Sequence, residues 1–366
     1  LKSSKIESDK ISLSDSYGNT VCLDRWRKKT GVIYDYDKPE NKSSSFSKTF
    51  PYKKESLIPK QKIKGLDIKA SRLVFGCDNQ LDVNHAFTMF DHFFSLGGNV
   101  FDTAYIYNSG KSDENLGRWL NSRKLKDEVI ILGKGAHTPD CYPESIRPQL
   151  LETLSRLNLD CLDIYCLHRD NYEIPVGEFI DVLDELRSEG LIKIYGASNW
   201  SLNRFKESFD YSKANSKNPF SILSNNFSLA EMIEPVWPGC ESCWDESYRE
   251  FLTKENIPIF PWSSQARGFF LKDNEVKASY HPANPDRAEQ DRVWFDDKNL
   301  KRRERCFTMA EEKGFEPIEV ALAYVLNQSF PTFPLIGPRN LFETESSVKS
   351  LEINLSHEDI RWLEYK

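Results

Sequence analysis

Four residues that can move protons stand at the ends of short apolar runs. Asp102 closes the run Asn99–Phe101, and Tyr107 follows it by five residues. Lys134 comes directly after Val129–Gly133, and His168 directly after Leu162–Leu167. Singly, each has a bland reading: an Asp after a strand caps a turn or helix, a Lys is a solvated charge, a His is a structural hydrogen-bonder. Together they occupy the ends of the second, third and fourth strands of an alternating chain. The carboxyl ends of parallel strands are where α/β barrels carry their chemistry. A carboxylate, a phenol, an ammonium and an imidazole on one rim make a set suited to proton transfer.

The elements that must position them form a regular rhythm. Strand-like runs fall at Arg72–Gly76, Asn99–Asp102, Val129–Gly133, Leu162–Leu167, Ile192–Ala197, Ile222–Asn225, Ile257–Trp262 and Thr332–Ile336. Each is short, apolar and bounded by polar, Gly or Pro residues, as strands covered on both faces are. Helical patterns separate them: Val83–Leu96, Pro143–Leu157, Pro175–Ser188, Leu202–Ala214, Glu246–Lys254, Leu300–Lys313 and Pro317–Leu326. Another helix follows Tyr107, and a last one starts at the cap-like Ser356. Eight strands alternating with helices predict a closed (β/α)8 barrel, a TIM barrel. A doubly wound open sheet would want a Gly-rich phosphate turn after its first strand, and CDNQLD there contains no glycine. KQKIKGLDIKAS predicts a short hairpin turning at Lys64-Gly65. Two long connections, Ser228–Tyr248 and Leu271–Asn299, both follow strands and are expected to be binding loops.

Residues 1–60 differ from the barrel segment 61–366. They are rich in Ser, Lys and Asp and carry a net charge of +5, leaving -12 for the remainder. YGNTVCLDRW and TGVIYDY read as short strands. The segment is expected to be a loosely ordered tail, an arm on the barrel, or the remnant of a fused upstream domain, and the Leu1 start suits a trimmed chain. The net charge of -7 argues against a nucleic-acid partner, and no apolar run reaches the length of a membrane span. With no export signal and eight cysteines in no regular framework, a reducing cytoplasm is the expected compartment. Cys240 and Cys243 form a C-x-x-C without a second Cys/His pair, so no metal site is expected.

DTAYIYNSGKSDENLG, LGKG, CLHRD and GASNW resemble the aldo-keto reductases, in order, over roughly residues 65–366. The resemblance implies a catalytic tetrad of Asp102, Tyr107, Lys134 and His168, acting with a nicotinamide on an aldehyde or ketone. The physics fits those roles. Hydride arriving at a carbonyl leaves negative charge on oxygen, so a proton donor is needed there. A free tyrosine with pKa near 10 is a poor shuttle at neutral pH, and a cation beside the phenol lowers that value. Lys134 would be the cation, Asp102 its counter-charge, Tyr107 the donor, and His168 the group orienting the substrate oxygen. The hydride must come from the nicotinamide, because no side chain donates one.

The resemblance also implies cofactor residues. Ser198 and Asn199 fall where the family holds the carboxamide, and Ser224 aligns where a Gln is usual, with Asn225 and Asn226 beside it. Trp262 falls where an aromatic stacks on the nicotinamide. Ser263 and Gly268 match the pyrophosphate loop, and Gly337 and Arg339 the adenosine-phosphate site. An Arg pairs readily with a 2′-phosphate, so NADPH is expected, with NADH the alternative. Ser346-Ser347 replace the acidic and amide residues that usually hold adenine. Cys77, Tyr105, His137 and Trp237 are expected to line a substrate pocket. The family also contains nicotinamide-binding regulatory subunits with little turnover, and a reductase half of a bifunctional sugar-processing protein is a further alternative.

Overall fold

The computed structural model describes residues 13–32, 56–272 and 287–366. Two compact units divide at Pro51/Tyr52. In the first, Leu13–Thr30 is a helix (α1) with Arg27, Lys28 and Lys29 in its last turn. YGNTVCLDRW is therefore helical, not a strand. A strand needs a partner for its backbone groups, whereas a helix satisfies them internally and its basic last turn complements the dipole. Most of TGVIYDY lies outside the described residues.

The second unit is the barrel. A short hairpin, Lys60–Gln61 (β1) with Ala70–Ser71 (β2), precedes it, turning at Lys64-Gly65 as the sequence predicts. Parallel strands follow: Val74–Gly76 (β3), Val100–Asp102 (β4), Ile130–Gly135 (β5), Leu162–Leu167 (β6), Ile192–Ala197 (β7) and Leu335–Ile336 (β8), in the order β7-β6-β5-β4-β3-β8. The expected sixth and seventh strands close the ring through single bridges, Ala197 to Leu223, Leu223 to Ile259 and Ile259 to Thr332. Pro258 and Pro261 have no N–H to give the ladder, so regular pairing breaks there. Their carbonyls still accept, from Leu223 at 3.0 Å and Leu335 at 3.0 Å.

Inside the barrel, Val74, Val100, Ile130, Leu132, Ile164, Ile194, Ile222, Phe260 and Phe333 form one buried cluster, with Phe260 and Phe333 stacked at 5.1 Å. Ile63, Leu66 and Ala70 of the hairpin segment belong to the same cluster and so plug the amino-terminal end. The other end stays open for the site.

Helices cover the outside. Val83–Ser95 (α2), Lys111–Arg123 (α3), Pro143–Leu157 (α4), Val176–Ser188 (α5), Leu202–Ala214 (α6) and Glu246–Glu255 (α7) fall where the pattern places them. So do Asp297–Lys313 (α9), Pro317–Leu326 (α10) and His357–Leu363 (α12), the last with a capping box at Ser356. Besides α1, two described helices are not legible in the pattern: Arg287–Trp294 (α8), inside the second long connection, and Leu341–Lys349 (α11). No helix among the described residues is long and apolar enough to cross a membrane.

Candidate active site

Asp102 ends β4 and Lys134 lies one residue before the end of β5, with Asp102 paired to Leu132 in the ladder. That register sets the Lys134 ammonium against the Asp102 carboxylate, and the two form a hydrogen-bonded ion pair. Both are almost wholly buried, at 3% and 1% exposure, so the pair has little water to screen it. Burial works against the lysine charge, yet Asp102 holds the lysine pKa above its ordinary value. Burial likewise pushes Asp102 up to about 6, against the pull of Lys134, so the carboxylate remains ionised at neutral pH.

Tyr107 sits in the turn between β4 and α3, its N–H donating to the Ala104 carbonyl at 2.9 Å. Asn108, Ser109 and Gly110 follow at φ +51°, +54° and +86°, a left-handed run that costs roughly 1–2 kcal/mol for each residue bearing a Cβ. Side chains hold it: the Asn108 amide donates to the Asp78 carbonyl at 2.6 Å and to Ser112 Oγ at 2.9 Å. Ser112 in turn donates to the Cys77 carbonyl at 3.0 Å. The turn lays the Tyr107 ring 5.0 Å from Lys134 Nζ. His168, just past β6, stands edge-on to it at 5.7 Å between ring centroids, and His137 lies 4.8 Å from His168.

The electrostatics depart from the expectation of an acidified phenol. Burial raises the Tyr107 pKa above its ordinary value, and Lys134 offsets this only in part. The phenol is therefore protonated at neutral pH. Burial, Lys134, Arg169 and His137 together drive His168 well below its ordinary value, so the imidazole is neutral.

These residues open into a cavity of about 1300 Å³. Ser198, Asn199, Ser224, Trp262, Ser263, Gly268, Gly337 and Arg339 line it as well. Ser198 Oγ donates to the Ser224 carbonyl at 2.6 Å, and the Asn199 amide donates to the His168 carbonyl at 3.1 Å. Ser224 Oγ is committed to the Phe260 carbonyl at 2.8 Å. Asn225 points away, both its amide groups bonding the Trp200 backbone. Asn226 donates to the Trp262 carbonyl at 3.2 Å. The loop after Trp262 carries positive φ at Ser263, Ala266, Arg267 and Gly268. At Gly268, φ is +90° and a Cβ would meet Leu271 at 3.1 Å, a backbone that glycine alone adopts freely.

His137 and Trp237 line the cavity, but Cys77 and Tyr105 do not. Cys77 is fully buried behind the rim, its thiol against the Phe75 carbonyl. The Tyr105 hydroxyl donates to Glu152 at 3.0 Å, and its ring stacks under Arg156. Past β4 the chain is a turn rather than a strand, and Glu152 and Arg156 of α4 hold the Tyr105 side chain away from the cavity that Tyr107 faces. Residues not foreseen also line the cavity: Asp78, Asn108, Arg169, Arg267 and Gln290. Arg267 stood in the loop already singled out. Gln290 belongs to α8, in a stretch read as pure loop, and donates to the Arg267 carbonyl at 2.7 Å.

The sequence matches the profile of the Aldo/keto reductase family over residues 73–365. The chain belongs to the aldo/keto reductase family. Among its relatives is a norsolorinic acid reductase of Aspergillus flavus, 25% identical over 306 residues, spanning 78% of this chain and 72% of the relative. A probable aryl-alcohol dehydrogenase of Saccharomyces cerevisiae is 25% identical over 299 residues, spanning 78% and 88%. An aldo/keto reductase from Klebsiella pneumoniae, solved in complex with NADP and acetate, superposes with a TM-score of 0.60 at 19% identity, over 84% of this chain and 95% of that one. This aldo/keto reductase therefore shares the barrel fold of that solved structure.

Proposed function

We propose that this chain is an NADPH-dependent reductase that converts an aldehyde or ketone to an alcohol, or runs the reverse oxidation. The observation that carries this reading is the Tyr107 phenol, held over the buried Lys134–Asp102 pair at the wall of one large cavity. Nicotinamide supplies hydride at this site when it is bound. Tyr107 is the proton donor to the carbonyl oxygen. Its raised pKa keeps the proton in place until charge develops on that oxygen, and Lys134 then stabilises the phenolate left behind. Asp102 fixes the lysine's position and charge. Neutral His168 hydrogen-bonds the same oxygen and orients it.

The cavity suits the cofactor. Trp262 Nε1 and Arg339 Nε are buried without a hydrogen-bond partner, so polar capacity is left over for a ligand. Ser198 and Asn199 would hold the carboxamide, Ser224 its edge, Trp262 the ring face, and Ser263 and Gly268 the pyrophosphate. Burial and nearby Arg267 both press against the Arg339 charge, a penalty that an anion such as a 2′-phosphate relieves. Gly337, two residues before Arg339, also lines the cavity, and a Cβ there would crowd the Asn79 amide at 3.3 Å. The Ser346 and Ser347 hydroxyls are committed, to Glu319 at 3.0 Å and the Glu343 carbonyl at 2.8 Å, which leaves discrimination to Arg339.

The test is steady-state absorbance of reduced nicotinamide, with NADPH and NADH side by side over a panel of aldehydes and ketones. Consumption of NADPH that depends on carbonyl supports the reading. Tight NADPH binding without turnover on any carbonyl overturns it.

A further inference from the structure

Arg169 follows His168 directly and lines the same cavity, yet no step above uses it. It is only 4% exposed. Its guanidinium donates to the His168 carbonyl at 2.9 Å and to Cys240 Sγ at 3.5 Å, and Nε is buried with no partner. A guanidinium carries five N–H donors, and neither partner here is an anion. The carboxylates beside it in the chain and beside Cys240 are committed elsewhere: Asp170 takes both prongs of Arg204, at 2.8 and 2.9 Å, and Glu241 is hydrogen-bonded by Tyr172. A cation taken out of water without a counter-ion is costly, and proteins seldom leave one so.

Its neighbours define what would satisfy it. Arg169 packs against Gly239, where a Cβ would meet its Cδ at 3.4 Å, so the 236–240 segment forms its other wall. That segment contributes Trp237, whose ring lies 6.2 Å from Trp262 at 36°. An aromatic wall, its Trp237 ring also carrying Arg267 at 5.1 Å, thus meets the His168 rim and a cation that has no counter-ion among the described residues.

We infer that Arg169 is the specificity residue for a carbonyl substrate bearing a carboxylate or similar anionic group, the anion completing the guanidinium's charge and donors while the substrate's flat apolar body lies along Trp237. The inference rests on the reductase reading for its site. The guanidinium fork suits a carboxylate better than an ammonium would.

The experiment compares 3- and 4-carboxybenzaldehyde with their methyl esters, using NADPH, in wild type, Arg169→Met and Arg169→Lys. Wild type is expected to favour at least one acid over its ester in kcat/KM by about tenfold or more, through KM. Arg169→Met should abolish that preference, and Arg169→Lys should restore part of it. A purely structural arginine would lower acid and ester together and leave their ratio unchanged, overturning the inference while the reductase reading stands. Tryptophan fluorescence titrated with terephthalate against dimethyl terephthalate gives a readout without turnover. Tighter terephthalate binding lost in Arg169→Met supports the inference even with no turnover, an outcome in which the reductase reading alone fails. No preference in binding or in turnover overturns it. So does an Arg169→Met variant whose main defect is NADPH affinity, which would assign the cation to the cofactor.

Discussion

At the scale of single residues, the site turns on how burial and charge divide control of one proton. Tyr107 is held above its ordinary pKa and His168 well below its own. Two consequences follow for the reduction. Its kcat/KM should show no histidine break near pH 6.5, the low-pH loss coming instead from protonation of Asp102 as pH falls through about 6, and should fall again beyond the tyrosine range near pH 10. A break near pH 6.5 that vanishes in His168→Gln would contradict the neutral imidazole. Tyr107→Phe removes the donor and leaves the ring, so turnover should drop about a hundredfold to ten-thousandfold, the usual yield of general acid catalysis. NADPH affinity, read by fluorescence, should persist. Near-normal turnover in that variant would remove Tyr107 from its role.

At the scale of elements, α3 and α4 position the turn that carries Tyr107. Gly117 of α3 approaches the end of α4 so closely that a Cβ would meet the backbone of Arg156 and Leu157 at 2.6 Å. Gly117→Ala should therefore push the helices apart and cost about 1–3 kcal/mol in urea unfolding, the usual penalty of overpacking, despite alanine's better helix propensity. Asp113, in the first turn of α3, accepts from Thr103 Oγ1 at 2.5 Å and lies 3.6 Å from Arg156. Burial pushes it up to about 6. The folded state thus holds this proton more tightly than the unfolded chain, with its ordinary value near 3.9. The sign follows: Asp113's contribution to stability is full below about pH 4 and is lost as pH rises through 6. Between pH 5 and 7 the loss is about 1 kcal/mol. Urea unfolding of Asp113→Asn at both pH values should show a smaller fall than wild type, and an identical fall would refute the assignment.

At the scale of the whole molecule, the site residues all lie in the unit from Tyr52 to Lys366. A chain beginning at Tyr52 is expected to fold and to keep the kcat/KM of the full sequence. Loss of activity with retained helical circular dichroism would show that residues 1–51 act on the site.

Much of this was already written in the sequence, and the reason is periodicity. Short apolar runs with polar punctuation specify buried parallel strands, and capped amphipathic stretches specify the helices between them. Once the barrel is legible, Asp102, Lys134 and His168 are placed by rank at successive strand ends, because each strand delivers its last residues to the same rim. What periodicity does not contain is direction and neighbourhood. Whether Tyr105 or Tyr107 faces the cavity depends on a left-handed turn that Asn108 braces against the Asp78 carbonyl in the preceding strand's loop. The pKa of Tyr107 depends on the balance between surrounding protein and one ammonium, where residue type suggested only the ammonium. The bridged sixth and seventh strands reflect prolines whose effect appears only when neighbouring strands seek donors. Arg169 reads as one more charge beside His168 in the chain; only the packed barrel, with Asp170 already bound to Arg204, leaves that charge buried at the cavity wall without a counter-ion among the described residues.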